Sequence, residues 1–161
     1  MALAERAADA VDSVRGEDRQ IQLSGSIVKN IHEIRELPMD VSGERRRALV
    51  REACRAARAE SAEIAHVTGA LWDWEQAVTI ANTEGMFVSD QRVYTRASVT
   101  AVASGKGENQ TGSESPGAMM GFELFSTRED MNARAREAAR RAVTMLHADK
   151  CPAGVMPVVI D

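Results

Sequence analysis

The clearest pattern in the chain is an alternation of apolar and polar residues between Arg92 and Ala103. Small or branched apolar residues recur at most odd positions, and polar residues fill most of the positions between them. A period of two is typical of a β-strand with one buried side and one solvent-facing side. The pattern predicts a strand that places Val93, Ala97, Val99, Ala101 and Ala103 on its inner face and Tyr94, Arg96, Ser98 and Thr100 on its outer face.

Turn-forming segments bound this strand on both sides. Asn82–Gly85 precedes it and Gly105–Gly107 follows it. Both suit hairpin connections, because glycine accepts the positive φ angles that tight turns require. We therefore expect residues 109–115 to pair back against the long strand.

The segment before the first turn is also rich in strand-forming residues. Glu63–Leu71 and Glu75–Ala81 predict a hairpin, with Trp72–Trp74 at its turn. The two tryptophans allow two interpretations: a pair that packs over a sheet edge or a helix end, or an exposed aromatic anchor at an interface.

Three stretches have a helical period. Residues 3–14 predict a short helix. Ser42 is a good N-cap for a second helix that ends near Ala59, and Thr127, with Asp130 three residues on, predicts the start of a third. The inner stripe of the second helix is Leu49, Ala53, Ala56 and Ala57, and that of the third is Met131, Ala135, Ala138, Ala142, Met145 and Leu146.

These elements predict an α+β fold, a mostly antiparallel sheet of about five or six strands packed against two or three helices. Residues 1–41 are expected to form a helix and an extended connector with at most a short strand or turn. Residues 42–155 form the sheet-and-helix domain. Residues 156–161 begin a further strand, with Val158–Ile160 buried.

Composition adds the class of protein. The chain has 161 residues, 44% hydrophobic and 27% charged, which is typical of one soluble globular domain. The net charge of −4 does not favour a nucleic-acid partner. No apolar run approaches the roughly 20 residues of a membrane span, and the N-terminus lacks the apolar core of a signal peptide, so we expect a cytoplasmic protein and no membrane partner.

The metal-ligating residues are scattered. Cys54 and Cys151 match no metal spacing and are expected to be free thiols. His32, His66 and His147 have no partner at helical spacing, so the sequence predicts no zinc site in this chain. We expect His66 to be a surface or half-buried strand residue.

Arg45, Arg46 and Arg47 form a basic run in the first turn of the second helix. At this end the helix dipole disfavours positive charge slightly. The run is either a solvated basic face or a docking patch for an acidic partner surface.

Several ordered motifs together resemble the TldD branch of the TldD/PmbA family, once called modulators of DNA gyrase. The resemblance extends over roughly residues 42–160. The motifs that carry it are Asn82–Gly85, Arg92–Arg96, Gln110–Gly112, Pro116–Gly117, Gly121–Phe125 and Pro152–Val159.

The resemblance implies a zinc metallopeptidase whose His-Glu-x-x-x-His motif follows the strand that begins here at Met156. We therefore expect this chain to be a non-catalytic part, without catalytic residues or a metal of its own. It would contribute substrate guidance and subunit contacts. The implied partners are an unfolded peptide substrate and a homologous TldE/PmbA-type subunit or a second copy of the chain.

The candidate residues for peptide or subunit contact are Arg92, Tyr94 and Arg96 on the polar strand face, with Gly117 and Gly121 in the following loop. An open sheet edge can accept an extended peptide as an added strand. The two glycines suggest tight or close-approach backbone geometry. Alternatively, the two arginines are ordinary strand residues paired with glutamates.

The alternative function is a self-standing peptide-binding or assembly module without enzymatic activity. DNA or gyrase binding, suggested only by the old family name, fits the charge poorly.

Overall fold

The computed structural model describes residues 20–28, 33–150 and 153–159, together with Ala4 and Arg6, which are both helical. The rest of the predicted helix over residues 3–14 lies outside the described residues. The described elements are β1 (Ser24–Ile27), a 3-10 turn (Pro38–Asp40), α1 (Gly43–Ala59), β2 (Ile64–Ala81), β3 (Met86–Gly105), β4 (Glu108–Glu114), β5 (Gly117–Ala118), α2 (Leu124–Thr127) and α3 (Met131–His147).

β3 is the central strand of the sheet. The strand order is β1-β3-β2, and β4 and β5 also pair with β3. β4 runs antiparallel to Val99–Gly105 and β5 antiparallel to Thr95–Arg96, whereas β1 runs parallel to Met86–Ser89. The predictions of an α+β fold and of a mostly antiparallel sheet are confirmed. Among the described strands, β2 has β3 as its single neighbour.

One compact unit consists of residues 1–29 and 77–90. It contains β1 and the turn between β2 and β3. Asn82 builds that turn, because its side-chain oxygen accepts hydrogen bonds from the backbone N–H groups of Glu84 and Met86. Gly85 has a φ of +94°, which confirms the predicted need for glycine.

The second compact unit consists of residues 30–76 and 91–161. The inner face of β3 is buried here as predicted, with all five expected residues between 0% and 2% exposed. α1 packs on α3, and α3 packs on β4. The core is rich in alanine from β3 and from both helices, so the helices approach the sheet closely.

The helix starts follow one prediction and correct another. The Ser42 hydroxyl accepts a hydrogen bond from the Arg45 N–H and caps α1, as expected. The cap of α3 is Asp130, whose carboxylate accepts from the N–H groups of Asn132 and Ala133. The prediction that Thr127 caps this helix was wrong, because Thr127 closes the short helix α2 and donates its hydroxyl to the Glu123 carbonyl.

The predicted hairpin at Trp72–Trp74 was also wrong, because β2 runs unbroken from Ile64 to Ala81. Two residues spaced by two in a strand share a face, so no bend is needed to accommodate both tryptophans. Asp73 between them forms an ion pair with Arg46 of α1, which places it on the helix side of the sheet.

Two apolar positions are more exposed than predicted. Met145 is 52% exposed on α3, and Ala139 takes a buried place in the inner stripe instead. Residues 153–159 form no strand, and Val158 is 72% exposed, so the predicted buried strand is not seen there. Ile160 lies outside the described residues.

Candidate peptide-contacting site

The outer face of the sheet in the second unit carries three aromatic residues next to an arginine. Alternation along β3 turns Tyr94 and Arg96 outward, since their neighbours Val93, Thr95 and Ala97 are buried. Trp74 of β2 stacks on Tyr94, with the ring centroids 4.9 Å apart and the planes at 15°. Trp72 and Trp74 are each 49% exposed, so this face presents aromatic surface to solvent.

A groove of about 390 Å³ lies beside the stacked pair. Its lining residues come from β2, β3, β5 and the adjoining loops, and they are Trp74, Tyr94, Thr95, Arg96, Ser115, Gly117, Ala118 and Met119. The Arg96 Nε–H donates a hydrogen bond of 2.9 Å to the Ser115 hydroxyl. The groove therefore combines a flat aromatic wall with an oriented cation.

A buried hydrogen bond supports the loop behind the groove. Thr95 is 1% exposed, and its hydroxyl donates to the Met120 carbonyl at 2.9 Å. The bond satisfies a polar group in the core and ties residues 117–120 to β3.

Gly117 is needed where it lies against Arg96. A Cβ at position 117 would come within 2.9 Å of Cγ and 3.0 Å of Cβ of Arg96, closer than carbon atoms normally approach. The predicted close approach at this glycine is confirmed. Because position 117 has no side chain, the aliphatic carbons of Arg96 have room to lie along the groove.

Gly121 lies at a different place. A side chain there would overlap the Glu36 carbonyl and the Glu123 carboxylate. The buried Glu123 carboxylate accepts hydrogen bonds from the N–H groups of Gly121 and Glu36, and so fixes the segment before α1 to the loop. The predicted close approach is confirmed here too, but Gly121 does not line the groove.

Arg92 is half-buried on β3, two residues before Tyr94, and it does not line the groove either. Of the five candidate residues, the structure thus brings together Tyr94, Arg96 and Gly117. Whether any of the five contacts a peptide or a subunit stays a prediction.

The candidate contact residues named from the sequence do not include two members of the site, Trp74 and Ser115, although an exposed aromatic anchor is one interpretation of Trp72–Trp74. A signal for Trp74 does exist in the turn. The Asn82 N–H donates to the Met86 carbonyl, so these two residues face each other across the turn. Trp74 lies eight residues before Asn82 and Tyr94 lies eight residues after Met86, so the two rings are opposite each other on neighbouring strands. Ser115 gives no comparable signal, because its partner Arg96 is distant in the sequence.

The second feature of the site is the long strand β2 itself. An edge strand presents unpaired backbone N–H and C=O groups along its free side. A groove of about 560 Å³ separates the first half of α1 from β2, with Gly69, Ala70 and Leu71 on the strand side. Its helix side includes Arg46, Arg47 and Arg51.

The basic run on α1 is largely neutralised within the second unit. Arg45 pairs with Glu36 and Arg46 with Asp73, while Arg47 lies 3.1 Å from Glu44. Each of the three thus has a carboxylate partner at the protein surface. This arrangement favours the solvated basic face over a docking patch for an acidic partner.

The residues described in 20–28, 33–150 and 153–159 contain no group of three His, Cys, Asp or Glu that could hold a metal ion. His66 is exposed and bonds to Thr68, as expected of a surface residue, and His147 bonds to Glu63. These residues do not fit a catalytic metal site.

The Cys54 thiol lies inside the second unit, on α1. Burial raises its pKa above the usual value of 9.0, and nearby Arg58 lowers it to a smaller extent. A raised pKa makes the reactive thiolate form still scarcer at neutral pH, so Cys54 is poorly suited to act as a nucleophile. Within the described chain, no helix is long and apolar enough to cross a membrane.

Comparison with known proteins identifies the family. The model of the PmbA/TldA metallopeptidase central domain matches residues 36–146, which is more than half of the chain. The chain belongs to the PmbA/TldD family. The matched range runs from the Glu36 segment to the end of α3 and includes the whole groove with Trp74, Tyr94 and Arg96.

Two relatives in the PmbA/TldD family are described as metalloproteases. A metalloprotease TldD homolog of Haemophilus influenzae is 34% identical over 110 residues, covering 66% of this chain and 23% of that protein. A metalloprotease of Methanothermobacter thermautotrophicus is 28% identical over 159 residues, covering 99% of this chain and 34% of that protein. The chain thus spans about a quarter to a third of the length of these relatives.

A solved structure supports the fold. The crystal structure of a protein described as a candidate modulator of a DNA gyrase, from Thermotoga maritima, matches with a TM-score of 0.68 at 16% identity. The match covers 91% of this chain and 33% of that protein. At this identity the likeness concerns the fold alone.

Proposed function

We propose that this chain is the peptide-guiding, non-catalytic part of a TldD-like zinc metallopeptidase that cleaves unfolded peptides. The observation that carries the proposal is the unpaired side of β2, an 18-residue strand with one neighbour among the described strands. A strand of this length offers main-chain hydrogen bonds to any extended segment, whatever its side chains. That property suits a protease of unfolded chains.

The first experiment tests the peptidase. The protein is expressed at the length of its relatives, together with a homologous TldE/PmbA-type subunit, and incubated with a disordered peptide. We expect cleavage that a chelator abolishes and zinc restores, since a bound metal would activate the attacking water. Absence of cleavage with the partner subunit present would contradict the proposal.

The second experiment tests guidance by β2. An added strand uses the N–H groups of alternate residues only, so N-methyl groups on every residue of the peptide block pairing through both of its edges. N-methyl groups on alternate residues leave one edge free to pair and provide the matched control. We expect the fully methylated peptide to bind the 161-residue chain much more weakly and the alternately methylated peptide to bind nearly as well as the unmodified one. Equal binding of the fully methylated and the alternately methylated peptides would argue against strand addition.

The proposed partner in assembly is the homologous subunit or a second copy, and the proposed compartment is the cytoplasm. The alternative function, a binding or assembly module without chemistry, would give peptide or subunit binding but no cleavage at any protein length. The half-exposed Trp72 and Trp74 are compatible with this alternative, because aromatic residues are common interface anchors.

A further inference from the structure

We propose that the groove on the outer sheet face is a carboxylate-binding subsite, with Arg96 as the residue that binds the anion. The ligand is a carboxylate carried by an extended peptide, either an acidic side chain or the terminal carboxylate. That the ligand is a peptide rests on the proposed function. The carboxylate chemistry rests on the groove alone.

The guanidinium of Arg96 is held in a defined orientation. The Ser115 hydroxyl accepts from Nε of Arg96, which leaves both terminal nitrogens for a ligand. Position 117 lies directly opposite Arg96 in the pairing of β3 with β5. Because position 117 is a glycine, the aliphatic part of the Arg96 side chain can lie flat against the strand. A guanidinium held in this way presents the planar pair of donors that matches a carboxylate.

Arg96 has no internal counter-charge among the described residues. Several other arginines of the second unit do pair with carboxylates, for example Arg134 with Glu129 at 2.8 Å and Arg140 with Glu60 at 2.8 Å. In the described part of the chain, the bonded partner of Arg96 is a neutral hydroxyl, and no carboxylate lies within ion-pair distance of it. An oriented cation without an internal anion is complementary to an external one.

An aromatic wall lies beside the Arg96 cation. Trp74 and Tyr94 stack face to face and form one side of the groove. Their apolar surface displaces water near the guanidinium, which strengthens its attraction for an anion. The same surface can pack against the side chain next to the bound carboxylate. At about 390 Å³, the groove has room for a side chain with its adjoining backbone.

Aromatic residues and an arginine on a sheet also occur in proteins that bind single-stranded nucleic acid. The net charge of −4 disfavours that ligand, because affinity for nucleic acid depends on clustered positive charge. The groove itself contains one cation and no lysine. A peptide carboxylate needs no more than this.

The experiment measures the fluorescence anisotropy of three short disordered peptides titrated with the 161-residue chain. One peptide carries a central Glu and an amidated C-terminus. The second has Gln in place of Glu with the same amide, and the third has Gln with a free C-terminus. The chain variants are Arg96→Gln, Ser115→Ala and Arg55→Gln. Arg55 is an exposed residue of α1, on the helix side of the sheet, so its variant removes one charge away from the groove.

We expect at least one carboxylate peptide to bind roughly tenfold more tightly than the fully neutral peptide, as a charge-assisted pair of hydrogen bonds would give. The preferred peptide identifies the carboxylate as side-chain or terminal. Arg96→Gln should abolish the preference, and Ser115→Ala should reduce it. Arg55→Gln should leave it unchanged, and thermal melts should show that all three variants remain folded.

Four results would overturn the inference. The three peptides could bind equally, or they could fail to bind at protein concentrations on the order of millimolar. Arg55→Gln could weaken binding as much as Arg96→Gln, which would mean general charge attraction. A single-stranded oligonucleotide could bind with Arg96 dependence while the peptides do not.

The two proposals fail separately in these tests. If the longer protein cleaves peptides and N-methylation acts as expected, but the carboxylate preference is absent, only the subsite is wrong. If cleavage fails and the Arg96-dependent preference is present, the subsite stands and the peptidase proposal does not.

Discussion

At position 112 a hydrogen atom is all that fits between the sheet and the last helix. A Cβ at Gly112 would overlap the Ala138 carbonyl oxygen and lie 2.7 Å from the Ala142 nitrogen. Both are backbone atoms of α3, so they cannot turn aside as a flexible side chain could. The glycine sets the distance between β4 and α3.

We expect Gly112→Ala to lower the free energy of unfolding by roughly 1–3 kcal/mol or more, because overpacking forces the helix away from the sheet. Thermal or denaturant unfolding measures the change. Gly154→Ala is the matched control, since nothing lies within 4 Å of the added methyl group. Equal stability of the two variants would show that α3 can move without cost.

At the residue scale the sequence predicts the site in part. Tyr94 and Arg96 follow from the alternation along β3, which depends only on neighbouring residues. Gly117 follows from the rule that glycine, which has no side chain, allows close approach of the backbone. Trp74 follows only from the register of the turn at Asn82–Gly85, which places it opposite Tyr94. Ser115 follows from no local pattern, because its contact with Arg96 depends on how distant parts of the chain meet.

At the element scale the two helix starts show what local rules can decide. Asp40 also has the chemistry of a cap but lies in the 3-10 turn Pro38–Asp40, and the cap at Ser42 is predicted correctly. Before α3, both Thr127 and Asp130 have the chemistry of a cap. The choice falls on Asp130 because α2 occupies Leu124–Thr127.

We expect Asp130→Ala to destabilise the fold by about 1 kcal/mol, the usual effect of losing an N-cap. The two N–H groups of Asn132 and Ala133 would lose their acceptor. Denaturant unfolding monitored by circular dichroism measures the loss. Asp130→Asn, which keeps an acceptor oxygen, should retain most of the stability. A loss as large as that of the alanine variant would mean that the charge matters rather than the cap.

β2 shows why strand length is harder to predict than strand existence. The segments on both sides of Trp72–Trp74 are correctly predicted as strands, but the break between them is not there. β2 stays continuous because it pairs with β3, itself a strand of 20 residues. A local window contains no information about the length of the neighbouring strand.

At the scale of the whole molecule, the described chain contains a packed core without a metal cluster. Burial of apolar surface in this core stabilises the fold. That packing in the second unit involves the helices α1 and α3 and the inner face of β3.

We expect a chelator to leave the melting temperature of the 161-residue chain unchanged, because a structural metal would add its binding free energy to folding. Differential scanning calorimetry with and without chelator measures this. For comparison, the same chelator is added to the protein expressed at the length of its relatives. We expect it to abolish peptide cleavage there. A lower melting temperature for the short chain would reveal a metal site that involves residues beyond the described ranges.

The alanine-lined contact between β3 and the helices places the residues of the strand under two different constraints, which alternate along it. Positions such as Ala97 and Ala101, with no exposed surface, admit almost no change of volume. Positions such as Tyr94 and Arg96 can be exchanged without disturbing that contact. Substitutions at the outward-facing positions of β3 can thus change what this surface binds, while the buried positions keep the packing of the fold unchanged.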